Sequence, residues 1–292
     1  MSDLGVFLRG MLMGAADVVP GVSGGTMALI TGIYHTLLRS ISSIDIHAAR
    51  LVLRGQLREA WEHINGRFLA VLVAGIGVSI ISLAQLILWT MAHHPLPLWS
   101  FFFGLLAASA LVLQRQVGGY NLPSFVLSFL AAVFAASFIF WVPADVSAAP
   151  WMFFGAGFVA ICAMILPGVS GSLLLLLIGM YQPVLGALKQ IDLISIALFM
   201  LGAAAGITSF SRVLTYLLEH KRRATVAVLT GFLWGSLAMV WPWREAEGGG
   251  PVAPWNYSAG EPSILLCLCC AALGIALVTL LQSRWGHEHG LS

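Results

Sequence analysis

Long apolar stretches, separated by short polar or glycine-rich breaks, run through the chain from end to end. Six of these stretches are long enough to cross a bilayer, because about 30 Å of hydrocarbon takes roughly 20 residues of α-helix. We therefore predict six transmembrane helices. They cover residues 68–92, 98–114, 123–142, 191–218, 224–243 and 262–282.

Two further apolar segments are shorter, and each is broken in its middle by the same residues, Pro-Gly-Val-Ser-Gly. Residues 10–34, GMLMGAADVVPGVSGGTMALITGIY, align without gaps with residues 157–181, GFVAICAMILPGVSGSLLLLLIGMY. Proline and glycine interrupt helices, and an arm of about 15 residues is only about 22 Å long as a helix. Such an arm does not cross a bilayer alone, so we predict two re-entrant helical hairpins.

The two hairpins divide the chain into halves of the same plan, each a hairpin followed by three transmembrane helices. The first repeat covers residues 1–150 with its hairpin at 4–38, and the second covers residues 151–292 with its hairpin at 151–186. Because three spans is an odd number, the second hairpin starts from the opposite side of the membrane. The predicted fold class is an all-α polytopic membrane protein of two inverted repeats, an arrangement found in transporters.

Composition and charge agree with this topology. Only 9% of the residues are charged and the mean hydropathy is +0.94, whereas soluble domains are about a quarter charged. Cytoplasmic loops carry an excess of lysine and arginine, and most of these residues fall on one predicted side, which also holds both termini. They are Arg9, Arg39, Arg50, Arg54, Arg58, Arg67, Arg115, Lys221, Arg222, Arg223 and Arg284.

The connector between the first hairpin and the first span, residues 40–66, combines apolar residues with Arg50, Arg54 and Arg58, spaced four apart. This pattern predicts a basic amphipathic helix lying on the inner membrane surface, where anionic lipid head groups would attract it. A plain cytoplasmic connector that follows the positive-inside rule is the alternative.

The restart of a helix after each break offers N–H groups without helical partners and a partial positive charge. Glycine there allows a ligand to approach closely, and such helix starts suit phosphate or carboxylate. We therefore predict an anion site near the midplane, and the alternative is that the small residues only allow tight helix packing. The predicted donors are Ser23, Gly24, Gly25 and Thr26 in the first hairpin and Ser170, Gly171 and Ser172 in the second.

Two charged residues lie within the predicted membrane region, where charges are costly and usually face the protein interior with a partner. We interpret Arg212, in the span 191–218, as a ligand of the anionic substrate, and Asp17 as the group that binds a coupling proton or cation. The alternatives are an ion pair between the two residues, or an Arg212 that extends to the inner surface. Met164 stands where Asp17 stands in the first copy, so any coupling is asymmetric.

The tyrosines, histidines and cysteines of the chain have simpler interpretations. Tyr34 and Tyr181 close the two hairpins at matching positions, and we interpret both as interfacial anchors. The eight histidines are scattered and the four cysteines lie in apolar stretches. We therefore expect no metal and no cofactor.

The motifs GAADVVPGVSGGTMALITGIY and MILPGVSGSLLLLLIGMY resemble those of the PopT family of polyprenyl-phosphate transporters, and length and span count extend the resemblance over essentially the whole chain. The resemblance implies a translocase that returns undecaprenyl phosphate from the outer to the inner leaflet of the bacterial inner membrane for envelope synthesis. It also implies coupling to an ion gradient, of protons or sodium ions. Carried over, the first motif includes Asp17, Pro20 and Gly21, and the second includes Pro167 and Gly168.

Three other functions match parts of the pattern. A small-anion or other lipid transporter would use the same kind of anion site. A channel with aquaporin-like hairpins shares the span count, but the asparagine-bearing tips expected of water channels are missing here. A lipid-phosphate phosphatase needs a nucleophile with a base, or a metal cluster, at one interface. We expect a transporter rather than an enzyme, with polyprenyl phosphate and membrane lipids as partners and no nucleic acid.

Overall fold

The computed structural model describes residues 2–18, 22–140, 149–244, 250–258 and 260–285. Within these ranges the chain is helical and contains no β-strand. The helices of the first half are α1 (Asp3–Asp17), α2 (Gly24–Ile30), α3 (Tyr34–Ser42), α4 (Ile46–Leu53), α5 (Leu57–His63), α6 (Gly66–His93), α7 (Pro95–Gln116) and α8 (Leu122–Ser137). Those of the second half are α9 (Pro150–Ile165), α10 (Gly171–Leu177), α11 (Tyr181–Gln190), α12 (Leu193–His220), α13 (Arg222–Ser236) and α14 (Ile264–Trp285).

In the described part of the chain, four helices are long and apolar enough to cross a membrane: α6, α7, α12 and α14. The bent pair α10 and α11 makes a fifth if it counts as one span. Helices α8 and α13 lie at the other two predicted spans but have only 16 and 15 residues. At 1.5 Å per residue, both fall short of about 30 Å of hydrocarbon. The chain is a polytopic membrane protein, but the prediction of a full-length span is wrong for α13. Helix α8 continues as a 3-10 helix over Phe138–Phe140, and the last two residues of its predicted span lie outside the described residues.

Each hairpin has an outgoing helix, a break and a returning arm, and the returning arm is two short helices rather than one. Helices α2 and α10 end before the matched glycines Gly32 and Gly179, whose φ angles are 75° and 73°. Glycine tolerates this left-handed conformation, which ends a helix. In both copies the next residue donates its N–H to the carbonyl five positions earlier, at 2.9 Å. The prediction of single returning arms is therefore wrong.

The outgoing helix of each hairpin packs along the first long helix of its own half, α1 on α6 and α9 on α12. The repeated glycine at the start of each motif explains this contact. A β-carbon on Gly10 would overlap the Leu72 carbonyl in α6, and one on Gly157 would overlap the Phe199 carbonyl in α12. Small residues at these positions let the two backbones touch.

The helices at the remaining predicted spans pair between the halves, α7 with α14 and α8 with α13. Glycine again permits the contact: Gly104 of α7 meets the Ala271 carbonyl in α14, and Gly231 of α13 meets the Ser128 carbonyl in α8. The second span of each half thus packs on the third span of the other. The same pairing therefore occurs twice, as expected for two halves of the same plan. The inverted orientation of the halves stays a prediction.

The basic connector predicted as one interfacial helix over residues 40–66 contains two short helices instead, α4 and α5. A turn at Gly55, with φ 76°, separates them. Leu53 and Leu57, on either side of the turn, are 86% and 64% exposed. The location of this connector on a membrane surface stays a prediction.

Candidate functional site

The first hairpin tip, defined as residues 22–26, contains the point where α2 begins. Ser23 is the N-cap, with extended backbone angles of φ −122° and ψ 136°, and its hydroxyl accepts a hydrogen bond from the Gly25 N–H at 3.1 Å. Serine is favoured at an N-cap because its oxygen satisfies an N–H without a helical partner. Pro20 and Gly21, also predicted as site residues, lie outside the described residues.

Asp17, the last residue of α1, directs its carboxylate to the start of α2. The carboxylate oxygen Oδ1 accepts a hydrogen bond from the Gly24 N–H at 2.7 Å, and a β-carbon on Gly24 would come within 2.6 Å of the same group. An acidic group is stabilised at a helix start, where the N–H groups carry partial positive charge. A carboxylate of the chain itself therefore occupies the position predicted for an anionic ligand.

The second hairpin tip, defined as residues 166–172, has the same break but different side-chain contacts. Gly168 adopts a left-handed conformation with φ 82° after Pro167 and packs against α13. Ser170 precedes α10 at the N-cap position, yet no side chain caps this helix start. The hydroxyls of Ser170 and Ser172 hydrogen-bond each other at 2.9 Å instead.

The two tips meet, because side chains of the first hairpin bond to the backbone of the second. The Ser23 hydroxyl donates a hydrogen bond to the Met164 carbonyl at 2.8 Å. The Gly168 N–H donates to the Thr26 hydroxyl at 3.0 Å. The structure therefore brings the predicted donors of both hairpins into one place.

Gly25 and Tyr34 extend this contact along the end of α9. A β-carbon on Gly25 would lie only 2.6 Å from the Ile165 carbonyl oxygen, so any larger residue there must separate the tips. The Tyr34 hydroxyl donates to the same carbonyl at 3.0 Å, and the side chain is only 5% exposed. The interpretation of Tyr34 as an interfacial anchor is wrong, because its hydroxyl finds a partner inside the protein.

Three hydroxyl groups of the tips are closed to solvent in this structure, while Ser172 is half-buried. Ser23, Thr26 and Ser170 are 1%, 0% and 5% exposed, and the hydroxyls of all three are hydrogen-bonded within the protein. Buried hydroxyls with such partners avoid the cost of desolvation without compensation. These three hydroxyls are therefore not accessible to a ligand in this structure.

Arg9 was predicted only as one of the cytoplasmic charges, but it is buried within the first hairpin. The side chain is 2% exposed, and its Nε donates to the Thr31 carbonyl at 3.2 Å, at the end of α2. A cation is favoured near the C-terminal end of a helix. The signal in the sequence is its position directly before the repeated glycine, where the second half has Ala156. In the second hairpin, Ala156 and Met164 stand at the positions of Arg9 and Asp17, so both charges are missing there.

The structure does not bring Arg212 to the tips. Its exposed side chain donates from Nη2 to the Ile44 carbonyl at 2.8 Å, with a longer contact of 3.4 Å from Nε to the Ser42 carbonyl. Carbonyls at the end of a helix such as α3 have no helical partners, so this arginine satisfies them. Asp17 and Arg212 have different partners, and the alternative of an ion pair between them is wrong.

The groups that the tips can offer a ligand are hydroxyls and backbone N–H groups, which suit the oxygens of an anion. The partial positive charge of a helix start adds to this preference. Among the described residues, no three His, Cys, Asp or Glu side chains lie together in a way that could hold a metal ion.

Comparison with known proteins decides the family. A family model described as undecaprenyl phosphate translocase-like matches residues 13–249, a range that includes both tips. The chain belongs to this family. The resemblance predicted from the two motifs is thereby confirmed.

Individual relatives cover nearly the whole chain as well. A polyprenyl-phosphate transporter from Vibrio cholerae is 42% identical over 286 residues, which are 98% of this chain and 91% of the relative. A polyprenyl-phosphate transporter from Staphylococcus aureus is 32% identical over 255 residues, which are 80% of this chain and 85% of the relative. No solved structure matches the chain.

Proposed function

We propose that this chain transports undecaprenyl phosphate, or a similar polyprenyl phosphate, from the outer to the inner leaflet of a bacterial cytoplasmic membrane. Both relatives are named polyprenyl-phosphate transporters, and the family description names undecaprenyl phosphate. The structural observation that carries the proposal is the meeting of the two tips, where hydrogen-bonding groups of both halves converge. Such transport returns the lipid carrier for another round of envelope synthesis.

The head group is proposed to bind between the tips after they separate. Separation breaks the hydrogen bonds that Ser23, Thr26 and Tyr34 make with the second hairpin, and each neutral bond contributes about 0.5–1.5 kcal/mol net. Hydrogen bonds to a charged phosphate are about twice as strong as neutral ones. A phosphate that takes over these groups can therefore offset the cost of opening, and the tips close again when it leaves.

Asp17 is proposed to couple transport to an ion gradient. Its carboxylate accepts from the Gly24 N–H at 2.7 Å, at a helix start that a phosphate oxygen would also use. Two anions at one such place repel each other, so the head group binds more readily once Asp17 has taken up a proton or a sodium ion. Met164 cannot ionise, so the coupling belongs to the first hairpin.

The long isoprenoid tail is proposed to stay in the bilayer while the head group crosses. Two inverted halves that rock against each other would expose the tips to each leaflet in turn. The common helix order and the exchanged pairs α7–α14 and α8–α13 support this description. The distribution of lysine and arginine supports cytoplasmic termini.

Arg212 is left out of the proposed head-group site, because its guanidinium is bonded to the carbonyl groups that follow α3. We propose that it holds α3 against α12. Arg39 and Glu219 join the same two helices, with 2.9 Å between Nη2 and Oε1. These contacts connect the first hairpin to the second half of the molecule.

Movement of labelled undecaprenyl phosphate between the leaflets of proteoliposomes tests the proposed function. Vesicles that contain the protein should move this lipid much faster than empty vesicles, and an imposed proton or sodium gradient should change the rate. The matched control lipid is undecaprenol, which has the same tail without the phosphate and should not be accelerated. Equal acceleration of both lipids, or a rate no higher than in empty vesicles, contradicts the proposal.

A further inference from the structure

A second place in the molecule is suited to an anion, and it lies away from the tips. Where the turn between α12 and α13 meets the start of α8, the surface holds a cavity of about 320 Å³, within the size range of small-ligand sites. We call it the basic cavity. Its polar lining consists of His220, Lys221, Arg222 and Arg223 on one side and Asn121 and Ser124 on the other.

The positive charge of the basic cavity is not balanced by acids in its lining. Among the described residues that line it, none is Asp or Glu. Glu219, the adjacent acid in the sequence, is bonded to Arg39 on the α3 side. The ammonium group of Lys221 is exposed and makes no hydrogen bond or ion pair within the described ranges. Arg223 donates to the Gly119 carbonyl, which holds its guanidinium in place.

Two helix starts add to this charge. Helices α8 and α13 both begin at the basic cavity, and the first N–H groups of a helix carry partial positive charge. Asn121 caps α8 by accepting from the Ser124 N–H at 3.1 Å. The start of α13 has no side-chain cap hydrogen bond.

An apolar stripe on α8 begins at the basic cavity and runs along an exposed side of the helix. Leu127 lines the cavity, and Leu130 and Phe134, about one and two turns farther on, are 58% and 50% exposed. Residues at this spacing share one helix face. A small soluble anion would leave this surface uncovered, whereas the acyl chains of a lipid would cover it.

We propose that the basic cavity binds the phosphate group of an anionic membrane lipid, with the acyl chains along α8. Basic pockets between transmembrane helices recognise lipid head groups in this way. The proposal requires only that the chain lies in a bilayer, and it does not depend on the transported substrate. A lipid bound there joins α8 to α13, the helix against which Gly168 of the second tip packs.

Native mass spectrometry of the full chain in detergent, with added phosphatidylglycerol, tests the proposal. Lys221→Gln should weaken phosphatidylglycerol binding about fivefold, and Lys221→Gln with Arg223→Gln should weaken it further. The matched controls are Lys189→Gln and the pair Lys189→Gln with Arg284→Gln, which remove the same charges elsewhere and should bind like the wild type. Zwitterionic phosphatidylcholine should bind weakly to every variant.

Inorganic phosphate distinguishes a lipid head group from a soluble ion. It should displace phosphatidylglycerol poorly, because it has no chains to cover α8, and displacement as effective as by the lipid itself would overturn the assignment to a lipid. Wild-type binding by both Lys221 variants would also overturn it, as would an equal loss in the control variants. Lys221→Gln removes no contact within the described residues, so its elution in size-exclusion chromatography should match that of the wild type.

Discussion

The two hairpins share the motif Pro-Gly-Val-Ser-Gly but use it differently. In the first, Asp17 and Ser23 both accept from the N–H groups that begin α2, and Ser23 also reaches the other hairpin. In the second, the side-chain hydroxyls of Ser170 and Ser172 bond only to each other within the described residues. A shared motif therefore sets the backbone break, while the neighbouring residues set the chemistry.

The contact between the hairpins shows the same division. The first hairpin supplies side chains, the hydroxyls of Ser23, Thr26 and Tyr34, and the second supplies backbone carbonyl and N–H groups. Position by position, Thr26 corresponds to Leu173 in the second copy. The first hairpin thus supplies the side chains of the closed contact, and the second supplies the backbone groups to which they bond.

The largest effect is expected from Gly25→Ala, which breaks the contact on which the comparison depends. The new β-carbon would meet the Ile165 carbonyl at 2.6 Å, and crowding of this kind costs about 1–3 kcal/mol. We expect a lower melting temperature in detergent and lipid transport close to that of empty vesicles. Gly155→Ala is the control, because nothing lies within 4 Å of its β-carbon. Normal transport by Gly25→Ala would show that the closed contact is not part of the mechanism.

Asp17→Asn tests whether the first hairpin alone carries the coupling. Asparagine can still accept the Gly24 hydrogen bond but has no charge to repel phosphate. We expect undecaprenyl phosphate to bind on the order of tenfold more tightly at neutral pH, and transport to lose its response to an ion gradient. Asp45→Asn is the control, since Asp45 caps α4 through the Ala48 N–H at 2.8 Å, outside the tips. An unchanged gradient response in Asp17→Asn would contradict the coupling role.

Ser23→Ala and Ser170→Ala compare the same position in the two copies. Ser23→Ala loses an N-cap and a bond between the hairpins, and we expect it to lower the free energy of unfolding by about 1–2 kcal/mol. Ser170→Ala loses only the bond to Ser172, for which about 0.5–1 kcal/mol is expected. Thermal unfolding in detergent measures both. Equal losses would mean that the two tips do not differ as described.

Tyr34→Phe and Tyr181→Phe form a second matched pair. Tyr34→Phe removes the hydroxyl bonded to the Ile165 carbonyl, and the loss of one such bond costs about 1 kcal/mol. Tyr181 is only half-buried, so removal of its hydroxyl should change the melting temperature little. The order of the two melting temperatures checks this prediction. A larger decrease in melting temperature for Tyr181→Phe than for Tyr34→Phe would contradict it.

The smallest effect is expected from lowering the pH, which protonates Asp45, the N-cap of α4 and a residue outside the tips. The hydrogen bond from the Ala48 N–H holds the pKa of the Asp45 carboxyl below its usual value. A lowered folded-state pKa stabilises the fold above the unfolded-state value, and this contribution is lost as the pH falls through the folded-state pKa. The melting temperature of Asp45→Asn should therefore lie slightly below that of the wild type at neutral pH and equal it in strong acid. A difference that persists in acid would contradict this.

The breaks could be predicted from the sequence because proline and glycine act on their immediate neighbours. Gly32 and Gly179 also act locally, and they end α2 and α10 in the same way, but the division of the returning arms at these glycines was not predicted. The family resemblance follows from these local features too. Helix lengths were harder to predict. The predicted span covers residues 224–243, whereas α13 begins at Arg222 and ends after 15 residues, at Ser236.

The partners of the tip side chains could not be predicted, because they depend on how the halves pack. Ser23 bonds to a carbonyl 141 positions away. The long side chain of Arg212 can reach carbonyls after α3, and its place in a span does not show this. Tyr34 was interpreted as an interfacial anchor because its position at the end of a hairpin is typical both of an anchor and of a tyrosine that bonds within the protein.

The most direct test of the tip site is the binding of undecaprenyl phosphate and of undecaprenol, measured by native mass spectrometry in detergent. The wild type should prefer the phosphate, and the double variant Ser23→Ala with Ser170→Ala should lose much of that preference while still binding the tail. A double variant that keeps the wild-type preference would place the head group elsewhere and leave the hairpin tips as packing elements only.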